Sequence, residues 1–241
     1  MTNAVIVTAV RTPCGKANKG SLRDVPPDTL GSVAIRELLN RVPALDPGMV
    51  DDVILGCAFP EGSQGMNMAR QASLLAGLPV DVPAATVNRF CSSGLQTIAQ
   101  AAERIMAGAA EVIIAGGVES MSQVPMGGYV LRPNPDIVET HPGIYLSMGL
   151  TAERVAEQYN ISRDDQDTFA YRSHMRAVNA QQNHYFDGQI APVSVKREMI
   201  DAHGERIVEK SDFRVDEGPR PDTSPEVLSK LKPVFKVGGT V

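Results

Sequence analysis

The residues best equipped for chemistry lie within 85–99, ATVNRFCSSGLQTIA. A β-type run reaches Cys91, and from Ser92 onward apolar residues fall at Leu95, Ile98, Ala99, Ala102, Ile105 and Met106, the three-and-four spacing of one helix face. Gly108 ends that helix. Cys91 is therefore expected at a strand-to-helix turn. Unpaired backbone N–H groups and the positive end of the helix dipole there favour a thiolate, the nucleophilic form of cysteine. Small neighbours at Ser92, Ser93 and Gly94 leave room for a substrate carbonyl to approach the backbone, as in other nucleophile elbows. Spacing alone leaves a second role open, because small buried cysteines also begin helices. Cys14 and Cys57 read as small buried apolar residues.

The elements that must hold this turn follow from periodicity. Three β-branched apolar runs, at residues 4–10, 53–55 and 112–115, suit strands covered on both faces. Between them, Asp28 caps a helix with Leu30, Val33, Ala34 and Leu38 on one side, and a second helix runs from about Met66 to Ala76, stopped by Gly77. Alternating β and α segments predict a layered αβα core, class α/β.

Beyond Met121 the pattern changes. Residues 124–142 carry four prolines and two glycines and read as an irregular surface excursion. Thr151 caps a short helix with Val155 and Ala156, and Ser162 with Asp165 opens a longer one through Phe169, Ala170, Ala177 and Ala180. Val193 to Lys196 and Ile207 to Glu209 pair around Asp201 to Glu205, and Gly218 to Pro225 is a loop. The division expected is a core at residues 1–120, an inserted α+β lobe at 121–239 and the start of a further core strand at 240–241.

Composition narrows the function classes. The 241 residues carry a net charge of −5, which gives no electrostatic footprint for nucleic acid or anionic lipid. No apolar run approaches the ~20 residues of a bilayer span, and the start has no basic leader, so the expected setting is cytoplasmic, an organelle matrix being the other possibility. Three widely spaced cysteines fit neither a disulfide framework nor a zinc site.

The segment NRFCSSG at residues 88–94 resembles the acyl-enzyme cysteine motif of thiolases, which make or cleave 3-ketoacyl-coenzyme A. In the family's order come VRTP at 10–13, ILG at 54–56, NMARQA at 67–72, GGVESMS at 116–122, MGLTAE at 148–153 and LKPVF at 231–235. The resemblance implies a thiolase-like N-terminal core with an inserted loop domain that holds coenzyme A. It further implies an acyl–Cys91 intermediate with the Cys91 N–H as an oxyanion donor, acyl-CoA and CoA as substrates, no cofactor or metal, and a homodimer or homotetramer. Arg220, in the DEGPRPDT stretch, matches the family arginine near the CoA nucleotide, and a solvated loop arginine is its alternative. Met148 and Phe235 match residues of the pantetheine channel, with plain packing as the alternative. Ser147 stands where some biosynthetic relatives have histidine, and Val227 where they have serine. The Ser147-Met148-Gly149 form resembles degradative thiolases of broad chain length.

The family's Gly-His-Pro base, Cys-x-Gly acid/base and Asn-Glu motifs do not occur in these residues. His141-Pro142-Gly143 has the wrong order and reads as loop, and His174, His184 and His203 read as exposed. The parts not found belong to the second half of a thiolase, so a chain of these residues alone is expected to be inactive in turnover. Two other readings stand beside this one: a condensing enzyme acting on carrier-protein substrates, and a non-catalytic truncated product that pairs with a thiolase partner.

Overall fold

The computed structural model describes residues 3–200 and 204–241, with no account of the side chains of residues 197–200 and 209. Its centre is strand β1 (Asp52–Gly56), whose Val53, Ile54 and Leu55 are 0, 4 and 4% exposed. A continuous apolar run is what a parallel strand covered on both faces requires. It pairs in parallel with β2 (Ala84–Val87) on one side and β3 (Ile113–Gly117) on the other, Val53 standing opposite Ala84 and Ile114.

Side chains alternate across the sheet. Val53 and Leu55 join Ile35, Ala69, Ala72, Leu78 and Val82 in one core, beneath helices α1 (Pro27–Arg41) and α2 (Met68–Ala76). Ile54 turns to the other face, towards Gln100 and Arg104 of α3 (Ser93–Met106). Helices thus cover both faces of a parallel sheet, the layered arrangement expected from the alternating pattern. Among the described residues no helix is long and apolar enough to cross a membrane.

Local chemistry moved several boundaries. Helix α1 begins on Pro27, whose fixed φ and missing N–H suit a first turn, so Asp28 lies inside that turn rather than capping it. Helix α2 begins two residues later than the pattern suggests, because Met66 and Asn67 both have positive φ; the Asn67 side chain then accepts the Arg70 N–H at 3.3 Å. The run at 4–10 is not a strand. Val5, Ile6 and Val7 are 76, 77 and 74% exposed, and only Arg11 forms a parallel bridge, to Ile190. A β-prone run becomes a strand only where a neighbour completes its ladder, and residues 4–10 pair with none of β1, β2 and β3.

Strands β4 (Val193–Ile200) and β5 (Arg206–Phe213) form the expected antiparallel pair, longer than the apolar pattern indicated; residues 201–203, His203 among them, lie outside the described residues. Val193 and Val195 bury against Leu22, Val25 and Leu30. Compactness accordingly groups this hairpin with the sheet, in a unit of Met1–Val130 and Asp187–Gly218, and gathers Leu131–Phe186 with Pro219–Val241 in a second unit. The boundary read at residue 120 follows composition, which does not register burial between distant segments.

In the second unit the proline-rich excursion is less irregular than its composition suggests. Asn134 accepts the Asp136 N–H at 2.9 Å and starts a short helix, α4 (Pro135–Thr140). Helix α5 (Met148–Tyr159) is capped by Ser147, which accepts the Leu150 N–H at 3.3 Å, and not by Thr151, which lies within its first turn. Helix α6 (Arg163–Gln182) opens with the Ser162–Asp165 capping box read from sequence. Helix α7 (Pro225–Leu228) gives its Leu228 carbonyl to Arg163 at 2.7 Å. Thr240 and Val241 form no strand; their N–H groups reach the Glu153 carboxylate at 2.9 and 2.8 Å.

In the first unit, a bidentate ion pair ties the segment after residue 10 to the loop following β5. Arg11 donates to both Asp216 oxygens at 2.8 and 2.9 Å, and the Cys14 N–H adds a bond of 2.7 Å. Burial pushes the Asp216 carboxyl up, but the Arg11 guanidinium and the Cys14 N–H outweigh it and hold the group below the ordinary carboxylate range. A folded value lowered in this way contributes stability above the unfolded carboxylate pKa, lost as pH falls through the lowered value. Asp216→Asn is expected to lower the urea midpoint at neutral pH and to cost less at about pH 2, as acid begins to protonate the native carboxyl as well. Equal losses at both pH values would contradict this account.

Candidate active site

Strands β1, β2 and β3 are parallel, so the residues just past their carboxyl ends gather on one edge: Cys57 and Ala58 after β1, Asn88 after β2, Glu119 after β3. Open parallel sheets bind their ligands outside that edge. The Cys57 N–H bonds to the Val87 carbonyl at 3.0 Å and the Val118 N–H to the Gly56 carbonyl at 3.0 Å, which carries the ladder into the loops.

Cys91 stands where the sequence pattern put it, in the loop from β2 to α3, and it is exposed. The loop is tight. Phe90 has φ +45°, a left-handed conformation that costs a residue with a Cβ roughly 1–2 kcal/mol. Three side-chain bonds hold it. Asn88 accepts the Phe90 N–H at 2.8 Å, and the Ser93 hydroxyl accepts the Arg89 N–H at 2.8 Å while donating to the Phe90 carbonyl at 2.6 Å. Ser93 is buried and Thr97, one turn on, bonds the Gly116 carbonyl at 2.8 Å, fastening α3 to β3. Such proximity needs Gly56: a Cβ there would stand 2.5 Å from the Ser93 Cβ and 2.7 Å from its backbone carbon.

Beneath the loop lies a second thiol of opposite character. Cys57 is 1% exposed, and its sulfur is 3.9 Å from Glu119. Burial, reinforced by the adjacent carboxylate, pushes the Cys57 thiol up to about 11. Glu119 also accepts the Ala58 N–H at 2.7 Å and the Gln64 amide at 2.7 Å; Gln64 is wholly buried and bonds the Phe59 carbonyl at 2.9 Å and the Ser120 N–H. The Ala58 carbonyl in turn accepts the Asn88 amide at 2.9 Å. Asn88 and Glu119 sit inside stretches that the sequence marks, yet their joint role was not legible there, and Gln64 carried no signal at all. Cys14, expected to be buried, is exposed: its N–H reaches Asp216, which holds the backbone and leaves the thiol at the surface.

The residues matched to coenzyme A binding belong to the second unit. Ser147 caps α5, Met148 is its first residue and 56% exposed, and the Phe235 ring covers Gly149 closely enough that a Cβ there would collide with it. Ser147, Met148 and Phe235 are thus gathered at one helix start. Arg220 is exposed and stands by α6, its backbone N–H donating to His174 Nδ1 at 3.2 Å. His174 is half-buried, not exposed as its polar surroundings suggested, because this bond draws the residue 219–223 loop over it.

A parallel sheet flanked by helices with an exposed cysteine at the β2–α3 turn defines an elbow-type nucleophile site on an α/β fold. Comparison with known proteins agrees: residues 4–241 match the model of the thiolase N-terminal domain. The chain belongs to that family. It is 53% identical to a 3-ketoacyl-CoA thiolase of Bacillus subtilis, over 100% of this chain and 61% of the relative. A β-ketoadipyl-CoA thiolase of Acinetobacter baylyi is 43% identical, over 100% and 62%. The crystal structure of the Bacillus anthracis acetyl-CoA acetyltransferase superimposes with a TM-score of 0.84 at 38% identity, over 100% of this chain and 61% of that one. The chain spans about three fifths of the length of these relatives.

Two outcomes are expected from this geometry. Gly56→Ala forces the start of α3 away from β1 and should destabilise the fold by about 1–3 kcal/mol, read as a fall in the urea midpoint. An unchanged midpoint would mean that the approach is not tight. Iodoacetamide at mildly alkaline pH should modify Cys91 and Cys14 while leaving Cys57 untouched, by peptide mass mapping. Labelling of Cys57 in the native protein at a comparable rate would refute its buried, protonated state.

Proposed function

We propose that this chain carries the nucleophilic half of a thiolase acyltransferase, with Cys91 as the acyl carrier. In the degradative direction the Cys91 sulfur attacks the 3-keto carbon of a 3-ketoacyl-CoA. The C2–C3 bond breaks and its electron pair goes to C2, leaving acetyl-CoA as an enolate that takes up a proton. The acyl group remains as a thioester on Cys91 until the thiol of a second CoA attacks it, releasing a shortened acyl-CoA and the free Cys91 sulfur. Splitting one hard step into two easier ones predicts ping-pong kinetics.

The observation that carries this reading is the exposed Cys91 on a loop locked by Asn88 and Ser93, in a chain of the thiolase N-terminal family. Names of similar proteins support the chemistry: 3-ketoacyl-CoA thiolase, and probable acetyl-CoA acyltransferase for a Staphylococcus aureus relative at 41% identity. Arg220 for the nucleotide, and Ser147, Met148 and Phe235 for the pantetheine arm, are the assignments for coenzyme A. A role in β-oxidation goes with the degradative form of Ser147-Met148-Gly149. No cofactor is needed for either step. Free thiols at Cys14, Cys57 and Cys91 support a reducing compartment such as the cytoplasm. Assembly as a homodimer or homotetramer is supported by the exposed Leu95, Ile98 and Met106 of α3.

Residues 1–241 hold no Gly-His-Pro, Cys-x-Gly or Asn-Glu motif to move the protons of these steps. General acid–base assistance is typically worth ~10²–10⁴-fold. A polypeptide of these residues alone is therefore expected to accept an acyl group on Cys91 without appreciable steady-state turnover. Incubation with acetyl-CoA should give a single acetyl mass increment on the Cys91 peptide, absent in Cys91→Ala. Normal thiolysis of acetoacetyl-CoA by the 241-residue chain would overturn the expected lack of turnover. Acylation by an acyl carrier protein thioester but not by acyl-CoA would overturn the substrate assignment.

A further inference from the structure

The tight turn before Cys91 has to be held from outside itself. Phe90 is left-handed at φ +45°, and its N–H is fixed by the side-chain oxygen of Asn88. Asn88 is exposed and would be free to rotate were its amide not anchored on the Ala58 carbonyl. Ala58 is in turn fixed by its own N–H on the Glu119 carboxylate. We propose that Glu119 and Asn88 are positioning residues for the Cys91 nucleophile, forming one brace that runs from the end of β3, through Ala58 after β1, to the Phe90 turn.

The chemistry of Glu119 explains why a carboxylate sits there. It receives three donors: the Ala58 N–H and the Gln64 amide, each at 2.7 Å, and the Cys57 thiol at 3.9 Å. Only an acceptor-only side chain meets all three, since glutamine would turn an NH2 group towards another donor. The Gln64 amide is itself orientated by the Phe59 carbonyl and the Ser120 N–H, so it cannot flip to accommodate the exchange. Asn88 is required for a different reason. It must offer an acceptor to Phe90 and a donor to Ala58 at once, which an aspartate or an alanine cannot do. Neither residue touches a reacting atom in this account. They act through the angle at which the Phe90–Cys91 peptide leaves the turn.

The inference rests on the reading of Cys91 as the nucleophile, and its test separates the two. The 241-residue chain is alkylated with iodoacetamide, and the rates at Cys91 and Cys14 are followed by peptide mass mapping, with Cys14, whose backbone is held by Asp216 and not by the brace, as an exposed internal reference. Glu119→Gln and Asn88→Ala should each lower the Cys91 rate relative to Cys14 by roughly two- to tenfold, the scale of one lost hydrogen bond. The pH profile of the Cys91 rate should change while that of Cys14 does not. The double variant should lose little more than the worse single one, because both lie on one chain of bonds. Independent, multiplying losses would overturn the brace, as would a Cys91-to-Cys14 ratio unchanged in both variants.

Labelling of Cys57 would reveal a variant that had lost its fold. Asn88→Asp, which keeps the acceptor for Phe90, removes the donor to Ala58 and adds a charge, then decides: a ratio equal to that of the native chain overturns the proposal, and a ratio still lowered at a pH high enough that both rates have levelled off, where the added charge no longer changes the ionised fraction, supports it. Acylation by acetyl-CoA is measured on the same samples. Failure of acylation in the native chain with the alkylation pattern as expected would sink the proposed function and leave the brace standing. Acylation at the native rate in both variants, with unchanged alkylation, would do the reverse.

Discussion

The close approach of the first turn of α3 to the end of β1 sets the terms for the rest of this structure. At Gly56 the two backbones meet with no room for a side chain, and the chain that links β2 to α3 must turn sharply to achieve it. A left-handed Phe90 is the consequence. A strained residue persists only where its surroundings over-determine it, and here Asn88 and Ser93 supply that constraint from both sides. The turn that follows leaves Cys91 exposed at the start of α3.

Two cysteines a short distance apart in the fold illustrate how environment decides reactivity. Cys57 ends β1, lies in the interior and faces a carboxylate, so ionisation would both bury a charge and set it beside another. It remains a thiol and serves as a weak donor. Cys91 has the same side chain at the surface. The difference arises from which way two adjacent loops turn at the carboxyl edge of one parallel sheet.

Outside the sheet, the chain relies on carboxylates that collect backbone N–H groups. Asp216 holds Arg11 and Cys14, Glu217 takes the N–H groups of Lys16 and Ser21 at 2.8 and 3.0 Å, and within the second unit Glu153 takes those of Thr240 and Val241. Each such residue satisfies loop donors that no ladder reaches. The same device recurs at Glu119, where the loop being fixed is the one beneath Cys91. In the second unit, the start of α5 brings Ser147, Met148 and Phe235 together because Gly149 lets an aromatic ring lie directly on the helix backbone.

Much of this was written in local pattern. The run Val53-Ile54-Leu55 specified a doubly covered strand, the three-and-four spacing from Leu95 to Met106 specified α3, and Ser162 with Asp165 specified the start of α6, since each depends on residues within a few positions of one another. The turn carrying Cys91 was legible for the same reason. Residues 4–10 show where that ends: their β-branched composition is a strand's, but a ladder needs a neighbour that no local pattern can supply. Likewise, composition could not foretell that Val193 and Val195 bury beside Leu22, or that Cys14, unlike the enclosed Cys57, is exposed. The sequence by itself determined the central strand, the long helices and which sulfur stands at a helix start. Only the tertiary structure decided that Gln64, Glu119, Ala58 and Asn88 converge under that sulfur, because hydrogen bonds between residues 30 to 61 positions apart exist only once the sheet has brought three strand ends to one edge.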